Sequence, residues 1–288
     1  MEYSETRIYK LSLEAQRLAK KVVPKYSSKF SKKTYTQDQH IAVLCIKAKV
    51  TKKFYETEEA LSNMPMVCEA IGLKQVSDYT TMRKAMGRLK TKVLIVLLYL
   101  SACLLPCTGN TSIDATGFDR RHNSKHYVKR CKILIKSMKV TFLIDTKQLT
   151  ILGLHITSTR KHDTQIVMPL VNRAVESFLI KVLTADKGYD DKKIRDNLRL
   201  MGIRPLIRHR EFKPIDIAHN ARMKNKDYNQ RVKNETVNSM IKRKYSDTLC
   251  TKTFWKQVKE VLFMAVVHNI ERKLSVIYLR ISIEPKVE

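Results

Sequence analysis

The sequence predicts a mixed α/β domain preceded by an all-helical region. The first observation is a change of period near Pro106 and Gly109, because apolar residues recur at helical spacing before this point and at extended spacing after it. The second is that three extended segments come first, and strands then alternate with helices, which favours a mixed sheet over a purely parallel one. The third is length, since 288 residues suffice for one large domain or two smaller ones.

Four segments are expected along the chain. Residues 1–35 are rich in Lys, Ser and Tyr and are predicted to be a basic arm, and residues 36–106 are predicted to be a helical DNA-binding domain. Within that domain, Ser77–Leu89 begins with capping residues and continues as a basic amphipathic helix. This pattern fits a helix-turn-helix-like DNA reader and equally a plain helical bundle with a solvated basic face. Residues 107–275 are predicted to form the α/β domain, and residues 276–288 a tail.

The expected elements follow from the apolar runs and the breaks between them. A first helix is predicted to begin at Gln37. Further helices are predicted at Phe54–Leu61, Val67–Ile71, Ser77–Leu89 and Val93–Leu105. Strands are predicted at Thr111–Phe118, Lys132–Asp145, Ile151–Thr157, Ile180–Thr184 and Ile203–Ile207. Further helices are predicted after the cap Asp163, at Asp190–Met201, at Asp227–Lys244 and from Thr253 to about Leu274.

The charge of the chain points to a nucleic-acid partner. There are 56 Lys and Arg residues against 27 Asp and Glu residues, which gives a formal net charge of +29. Self-repulsion of this size costs stability, and a polyanion relieves it. The cations are spread along the chain rather than gathered beside an apolar anchor, and Val93–Leu105 is well short of the ~20 residues that a bilayer needs. We therefore expect a soluble, cytoplasmic, nucleoid-associated protein with no membrane partner.

Cysteine and histidine spacing does not predict a zinc site. The six cysteines show no paired Cys-x-x-Cys spacing, and they indicate a reducing compartment. His122 and His126 stand at i,i+4, but without a cysteine or carboxylate pattern they are expected to be solvated or to face DNA. Trp255 begins a helix whose apolar residues indicate core packing, so we expect it to pack.

Two acids lie at the strands where they can form a site. Asp114 lies within the first predicted strand of the α/β domain, where a carboxylate is costly to bury unless a cation compensates it. Asp186 ends the apolar segment Val182–Ala185, and ligand sites in α/β sheets favour this carboxyl end. Asp190 and Asp191, which follow shortly after, are expected to be helix-start acids.

A third acid, Glu235, lies on the helix predicted over Asp227–Lys244. Tyr228, Arg231, Glu235 and Lys242 are separated by three, four and seven residues, so they fall in a narrow stripe at 3.6 residues per turn. On spacing alone, the favoured interpretation is a solvated face with an Arg231–Glu235 ion pair.

The same segment also resembles a known signature. Its Tyr-x2-Arg-x3-Glu-x6-Lys pattern is similar to that of the DDE transposases of bacterial and archaeal insertion sequences. Ile113–Phe118 resembles the block that holds the first aspartate of this family, and Thr184–Asp190 the block of the second. Arg160–Thr164 and Gly72–Thr81 resemble two further family segments. The blocks occur in the order of the family, and the resemblance covers most of the chain.

The short segment between Asp186 and Glu235 leaves no room for the β-rich insertion that some relatives carry there. The chain is therefore identified as similar to the compact members, in the family 5 / family 4 group of insertion sequences. An aromatic residue that relatives hold in that insertion cannot be carried over to this sequence.

The resemblance implies a ribonuclease-H-like catalytic domain. In it, Asp114, Asp186 and Glu235 would hold two Mg²⁺ ions, with Mn²⁺ as an alternative, and hard cations of this kind do prefer carboxylate oxygens. Tyr228, Arg231 and Lys242 would contact DNA near the scissile phosphate. The implied function is cleavage and strand transfer of double-stranded DNA at the terminal inverted repeats of a mobile element, by a homodimer on paired ends.

Two other functions stay open at this stage. One is a decayed or domesticated transposase that binds DNA as a repressor without catalysis. The other is a nuclease that cuts DNA without joining it. Intact acids at all three matched positions favour the transposase.

Overall fold

The computed structural model describes residues 6–51, 53–120, 130, 137–158 and 161–283. Its contacts divide the chain into two compact units. The first, called the helical unit, comprises residues 1–104 and 244–288, and the second, the sheet unit, comprises residues 105–243. This division differs from the expected boundaries, because the C-terminal helix was assigned to the α/β domain and instead completes the core of the helical unit.

The helical unit is built from seven described helices and one two-residue strand. These are α1 (Arg7–Lys20), α2 (Gln37–Val50), α3 (Phe54–Ser62), α4 (Pro65–Ala70), α5 (Tyr79–Arg88), α6 (Thr91–Ala102) and α12 (Phe254–Ile283), with β6 at Thr248–Leu249. Helix α12 packs against α1, α2 and α6. Its buried positions explain why it belongs here: they lie on several sides of the helix, as expected for a helix surrounded by others.

The expected basic arm is wrong for residues 7–20, which form helix α1. Leu11, Ala15 and Leu18 recur at helical spacing and are fully buried, and α1 packs against α2. Thr6 caps the helix by accepting a hydrogen bond from the backbone N–H of Tyr9. The apolar spacing outweighs the basic composition because burial of these side chains stabilises the helix.

Helices α2 to α6 agree with the sequence predictions, whereas α12 continues to Ile283 and therefore includes part of the expected tail at residues 276–288. Helix α2 begins with a capping box formed by Thr36 and Gln39, and Asp78 caps α5 by accepting from the backbone N–H of Thr80 at 2.7 Å. Gly72 follows α4 with a φ of +70°, a conformation that favours glycine. The buried helix predicted in the apolar run after residue 92 is α6.

Five strands of a mixed, six-stranded sheet lie in the sheet unit. These strands are β1 (Asn110–Arg120), β2 (Met138–Asp145), β3 (Ile151–Thr157), β4 (Val182–Ala185) and β5 (Arg204–Ile207), in the order β3-β2-β1-β4-β5. β1, β2 and β3 are antiparallel neighbours, whereas β4 pairs parallel to β1 and β5 parallel to β4. An antiparallel meander continued by parallel strands is the ribonuclease-H-like arrangement, so the predicted fold class is confirmed.

Helices connect and flank these strands. They are α7 (Thr164–Val175), α8 (Lys192–Leu200), α9 (Pro214–Arg222), α10 (Asn225–Tyr228) and α11 (Val232–Lys244), with 3₁₀ turns at Lys187–Tyr189 and Asn229–Arg231. Helix α7 joins β3 to β4, and α8 joins β4 to β5. Helix α9 was not predicted. The predicted start of β2 before Met138, together with His122, His126 and Arg160, lies outside the described residues.

The helix predicted over Asp227–Lys244 is interrupted. Residues up to Tyr228 belong to α10, Asn229–Arg231 form a 3₁₀ turn, and α11 starts only at Val232. Tertiary contacts hold this break, because the Gln230 side-chain oxygen accepts a hydrogen bond from the Thr146 hydroxyl at 2.8 Å. The four signature residues therefore do not lie on one continuous helix.

Candidate active site

Parallel pairing of β1 with β4 brings two of the predicted acids to the same edge of the sheet. Ser112 on β1 is the register partner of Thr184 on β4. Continuing that register by two residues places Asp114 beside Asp186, which directly follows β4. The predicted alignment of the two motif blocks is thus a consequence of strand pairing.

Asp114 is half-buried on β1 and lies among other acids. Burial raises the pKa of its carboxyl, and the negative charges of Glu235, Asp186 and Asp163 raise it further, outweighing a backbone hydrogen bond from Ala115 that lowers it. The fold therefore holds this carboxylate in an environment that disfavours its charge. A bound cation would reverse that penalty.

The loop after Asp186 is fixed by its own network. Asp190 forms an ion pair with Arg195 and accepts a hydrogen bond from the backbone N–H of Arg210 at 2.8 Å. The Lys187 ammonium donates to Glu211 at 2.7 Å. These contacts tie the loop to the segment after β5 and orient Asp186, which is itself exposed.

The two acids that follow this loop in sequence have structural contacts. Asp191 caps α8 by accepting a hydrogen bond from the backbone N–H of Lys193 at 2.7 Å, as a helix-start acid does. Asp190 does not cap the helix and instead anchors the loop.

Glu235 lies in the first turn of α11, and its side chain is 56% exposed. Its carboxylate pairs with the Arg231 guanidinium at 3.2 Å, so the ion pair predicted from spacing alone is present. An exposed pair of this type contributes at most about 0.5 kcal/mol to stability. The pair leaves most of the Glu235 carboxylate open to another ligand.

Two asparagines that the sequence analysis did not select join α11 to the sheet. Asn234 is fully buried and donates to the carbonyl oxygens of Ser112 at 3.0 Å and Phe142 at 3.2 Å. Asn238 donates to the Asp114 carboxylate at 3.3 Å. Both lie on the buried side of α11, and two polar residues among Val237 and Ile241 were the signal that could have identified them.

Asp163 and Tyr189 complete the surroundings of Asp114. Asp163 was predicted to cap α7, but its side chain makes no capping hydrogen bond. It forms an ion pair with Lys139 on β2 instead. The Tyr189 hydroxyl is buried and has no hydrogen-bond partner among the described residues. Burial raises the pKa of Tyr189, and the charges of Asp163, Asp114 and Asp186 add to the effect. A neutral phenol is therefore retained beside the acids.

The donor chemistry of the three predicted acids suits a hard divalent cation. Carboxylate oxygens are the protein ligands that Mg²⁺ and Mn²⁺ prefer, and the repulsion that Asp114 experiences from its neighbours is what a cation relieves. Within the part of the chain that the structure describes, no three His, Cys, Asp or Glu side chains have the spacing to hold one metal ion. The residues fit the cation by the chemistry of their oxygen ligands, and Asp114 and Asp186 also lie on neighbouring strands.

A stack of two guanidiniums lies on Tyr228. The Tyr228 ring is 3% exposed, the Arg208 guanidinium carbon is 4.4 Å from its centroid, and the Arg231 guanidinium carbon is 5.5 Å away. Arg208 was not predicted, although its place just past the carboxyl end of β5 is where site residues occur. The Lys242 ammonium lies 5.7 Å from the Phe118 ring centroid.

The sheet thus carries two of the predicted acids on neighbouring strands, with Asp114 within β1 and Asp186 directly after β4. The sequence matches the family model described as the transposase DDE domain over residues 106–270, which is more than half of the chain. The chain therefore belongs to the DDE transposase family.

The fold is similar to a piggyBac transposase in a synaptic complex with hairpin DNA, determined by cryo-electron microscopy, with 11% sequence identity and a TM-score of 0.42. The match covers 99% of this chain and 81% of that chain. Curated protein sequences gave no match. Among the described helices, none combines the length and the apolar character needed to cross a membrane.

Proposed function

We propose that this transposase cleaves and joins DNA at the ends of an insertion sequence, using divalent metal ions held by Asp114, Asp186 and Glu235. The observation that carries this proposal is the register of β1 and β4, in which Ser112 pairs with Thr184. Continued by two residues, this register supports neighbouring positions for Asp114 and Asp186. Asn238, from the helix of Glu235, hydrogen-bonds to Asp114 and brings the third acid to the same edge. From the motif spacing, we also propose that the chain belongs to the compact family 5 / family 4 group of insertion sequences.

When bound, Mg²⁺, or Mn²⁺ in its place, supplies the Lewis acidity for in-line displacement at a phosphodiester. Residues of the chain provide the ligands for the cation and hold them in position. Asp114, Asp186 and Glu235 present carboxylate oxygens, Asn238 orients one oxygen of Asp114, and Asn234 fixes the helix to the strands. A bound cation would relieve the electrostatic repulsion among these carboxylates, and this relief would contribute to the free energy of metal binding.

Cations beside the acids suit the phosphate groups of the substrate. Arg231 and Lys242 are the expected DNA contacts. The Arg231 guanidinium can bind a phosphate through two N–H groups, the Lys242 ammonium provides a compact positive charge, and Arg208 adds a second guanidinium. Tyr228, also expected to contact DNA, has a buried ring under both guanidiniums. We propose that Tyr228 positions Arg208 and Arg231, and that these two arginines contact the phosphate.

The proposed partners are double-stranded DNA at the terminal inverted repeats and at the target site, and a second copy of the chain. The net charge of +29 supports a polyanionic partner. Because the reaction acts on two element ends, we propose that two copies of the chain act together as a homodimer on the paired ends.

A specific observation favours one alternative, a decayed copy that binds DNA without catalysis. The Arg231–Glu235 ion pair engages one of the three acids, and the acids have no preformed three-ligand geometry among the described residues. A repressor of this kind would bind element ends equally well with and without Mg²⁺ and leave them intact.

One experiment separates these functions. A labelled duplex that carries the element end with its 3′-hydroxyl already exposed is incubated with the protein, supercoiled target plasmid and Mg²⁺. The proposal predicts covalent joining of the label to the plasmid, dependent on the metal. Cutting of an uncut end without joining of the exposed end would indicate a nuclease, and binding alone would indicate the repressor.

Lysines on opposite faces of α11 test the phosphate side of the site. Lys242→Ala should slow joining about 10-fold, which corresponds to about 1.4 kcal/mol of transition-state stabilisation. Lys233 is exposed on the opposite face of the same helix, so Lys233→Ala is the matched control and should keep the wild-type rate.

A further inference from the structure

A groove on the helical unit lies outside the catalytic acids. It encloses about 670 Å³ between the segment that joins α1 to α2 and one face of α5. Its walls are formed by Tyr26, Ser27, Ser28, Ser31, Lys32, Thr34, Tyr35, Gln37, His40, Thr81, Lys84, Ala85, Arg88 and Leu89. The volume is within the range of sites that bind ligands.

The lining is cationic and rich in hydroxyl groups. Lys32, Lys84 and Arg88 contribute the charges, and there is no Asp or Glu among the residues that line the groove. On α5, Thr81, Lys84 and Arg88 are spaced by three and four residues and so lie on one face of the helix. Cations and hydroxyl donors facing one space form a site for an anion with several oxygen acceptors.

The walls of the groove are held in place by the fold. The backbone N–H of Gln37 donates to the Lys25 carbonyl oxygen at 2.9 Å, and the Gln37 side chain donates to the Pro24 carbonyl oxygen at 3.1 Å. These bonds close the segment between α1 and α2 at its base. The Tyr35 hydroxyl donates to the Val76 carbonyl oxygen at 3.4 Å, which ties the same segment to the chain before α5. Binding therefore requires little ordering of the site.

Aromatic rings form part of one wall. The ring centroids of Tyr35 and His40 are 5.6 Å apart. Burial lowers the pKa of His40, and the positive charge of Arg88 lowers it further, so the imidazole is neutral and does not add to the charge. The positive charge of the groove is thus carried by Lys32, Lys84 and Arg88.

We infer that this groove binds the sugar–phosphate backbone of the DNA at the element end, which rests on the proposed function. Phosphate contacts from Lys, Arg, Ser, Thr and Tyr side chains position a protein on a duplex, and the lining supplies all five residue types. A groove of this composition on the helical unit gives that unit a defined DNA contact, in place of a diffuse basic surface.

The test compares charges inside and outside the groove. Lys32, Lys84 and Arg88 are exposed, so alanine substitutions there should leave the fold intact, as circular dichroism would check. The probe is a duplex taken from the DNA that flanks the gene, titrated at several salt concentrations. Each single variant should weaken binding about 3- to 10-fold and reduce the slope of log affinity against log salt by about 0.9.

Arg83 is the matched control, because it is exposed on α5 next to Lys84 but does not line the groove. Arg83→Ala should change affinity less than twofold. Equal losses for Arg83→Ala and Arg88→Ala, or wild-type binding by the triple variant Lys32→Ala/Lys84→Ala/Arg88→Ala, would overturn the inference. A mononucleotide that binds the groove without competition from the duplex would also overturn it, in favour of a small-molecule site.

The outcomes keep this inference separate from the proposed catalysis. If the triple variant binds as wild type while joining still depends on Asp114, the groove assignment fails and the proposed function stands. If joining survives Asp114→Asn, the proposed function fails whatever the groove variants do.

Discussion

Glu271 in the helical unit and Asp114 in the sheet unit are both withdrawn from solvent, but their neighbours carry opposite charges. The Glu271 carboxylate accepts hydrogen bonds from the Tyr245 hydroxyl at 2.7 Å and the Lys244 ammonium at 3.0 Å, and it pairs with Lys49. Burial alone would raise the pKa of Glu271, but these hydrogen bonds outweigh it and lower the pKa to about 2.

Asp114 has the reverse environment. Burial raises its pKa, and the nearby charges of Glu235, Asp186 and Asp163 raise it further, while Asn238 offers one long hydrogen bond. The fold compensates Glu271 from within, so that acid stabilises the protein. Asp114 has no cationic partner among the described hydrogen bonds and ion pairs, which costs stability and is the penalty that the proposed divalent cation would offset.

The largest expected effect is on catalysis. Asp114→Asn, Asp186→Asn and Glu235→Gln should each reduce cleavage of element ends by at least ~10³-fold, because each removes a metal-ligand charge. DNA binding should persist, since every one of these changes makes the protein more positive. Gel assays with Mg²⁺ measure both properties.

Glu271→Gln provides the control for loss of a buried carboxylate, and it should cleave at the wild-type rate at temperatures where it is folded. A wild-type rate in any of the three acid variants would remove that residue from the proposed site.

The effects of Glu271→Gln and Asp114→Asn on the stability of the fold should be the reverse of their effects on cleavage. Glu271→Gln should lower the free energy of unfolding by about 2 kcal/mol, a value that follows from the lowered pKa after allowance for screening by solvent. Asp114→Asn should cause no loss in metal-free buffer, because it removes repulsion. Urea unfolding at neutral pH compares the two variants, and an equal loss in both would mean that Asp114 is also a compensated structural acid.

Arg231 and Arg208 sharpen the comparison, because both guanidiniums lie close to the Tyr228 ring and Arg231 also pairs with Glu235. Tyr228→Leu and Arg208→Ala should each slow joining about 10-fold, whereas Tyr228→Phe should keep the rate, since the ring face and not the hydroxyl holds the guanidiniums. Arg204 lies at the other end of β5 and is exposed, so Arg204→Ala is the control. A rate loss in Tyr228→Phe as large as that in Tyr228→Leu would instead assign the hydroxyl a contact with DNA.

The smallest effect is the pH dependence of the compensated acid. A folded pKa of about 2, below the unfolded value of 4.5, means that the contribution of Glu271 is fully present above pH 4.5 and is lost as the pH falls toward 2. The difference in unfolding free energy between wild type and Glu271→Gln should therefore be constant from pH 7 to about 5 and shrink below pH 4.5. A difference that grows in acid would contradict the pairing.

Much of the fold could be predicted because local periodicity and strong breaks coincide. The strand at Ile151–Thr157 has the predicted bounds, and the change from helix to strand after Gly109 is observed. Helix α1 was missed although Leu11, Ala15 and Leu18 already had helical spacing, because basic composition was given more weight than period. The assignment of α12 to the helical unit depends on packing between segments that are distant in sequence. The spacing of apolar residues along one helix does not predict such packing.

For the site, motif spacing predicted the three acids, and the sheet register accounts for two of them. Asn234, Asn238 and Arg208 act through contacts that form only on folding. The polar positions among Val237 and Ile241, and the place of Arg208 just after β5, were local signals, but neither specifies a partner. The burial of Tyr228 under two guanidiniums likewise depends on Arg208, which is distant in sequence.

The most direct test of the uncompensated acid site is the binding of Mn²⁺ to the DNA-free protein, followed by electron paramagnetic resonance of the free ion. Wild type and Glu271→Gln should take up Mn²⁺ with the same affinity, and binding should raise the melting temperature of both. Asp114→Asn should weaken Mn²⁺ binding at least ~10-fold, because the loss of one carboxylate charge removes both a ligand and the repulsion that the metal relieves. Equal Mn²⁺ affinity in wild type and Asp114→Asn would contradict the account.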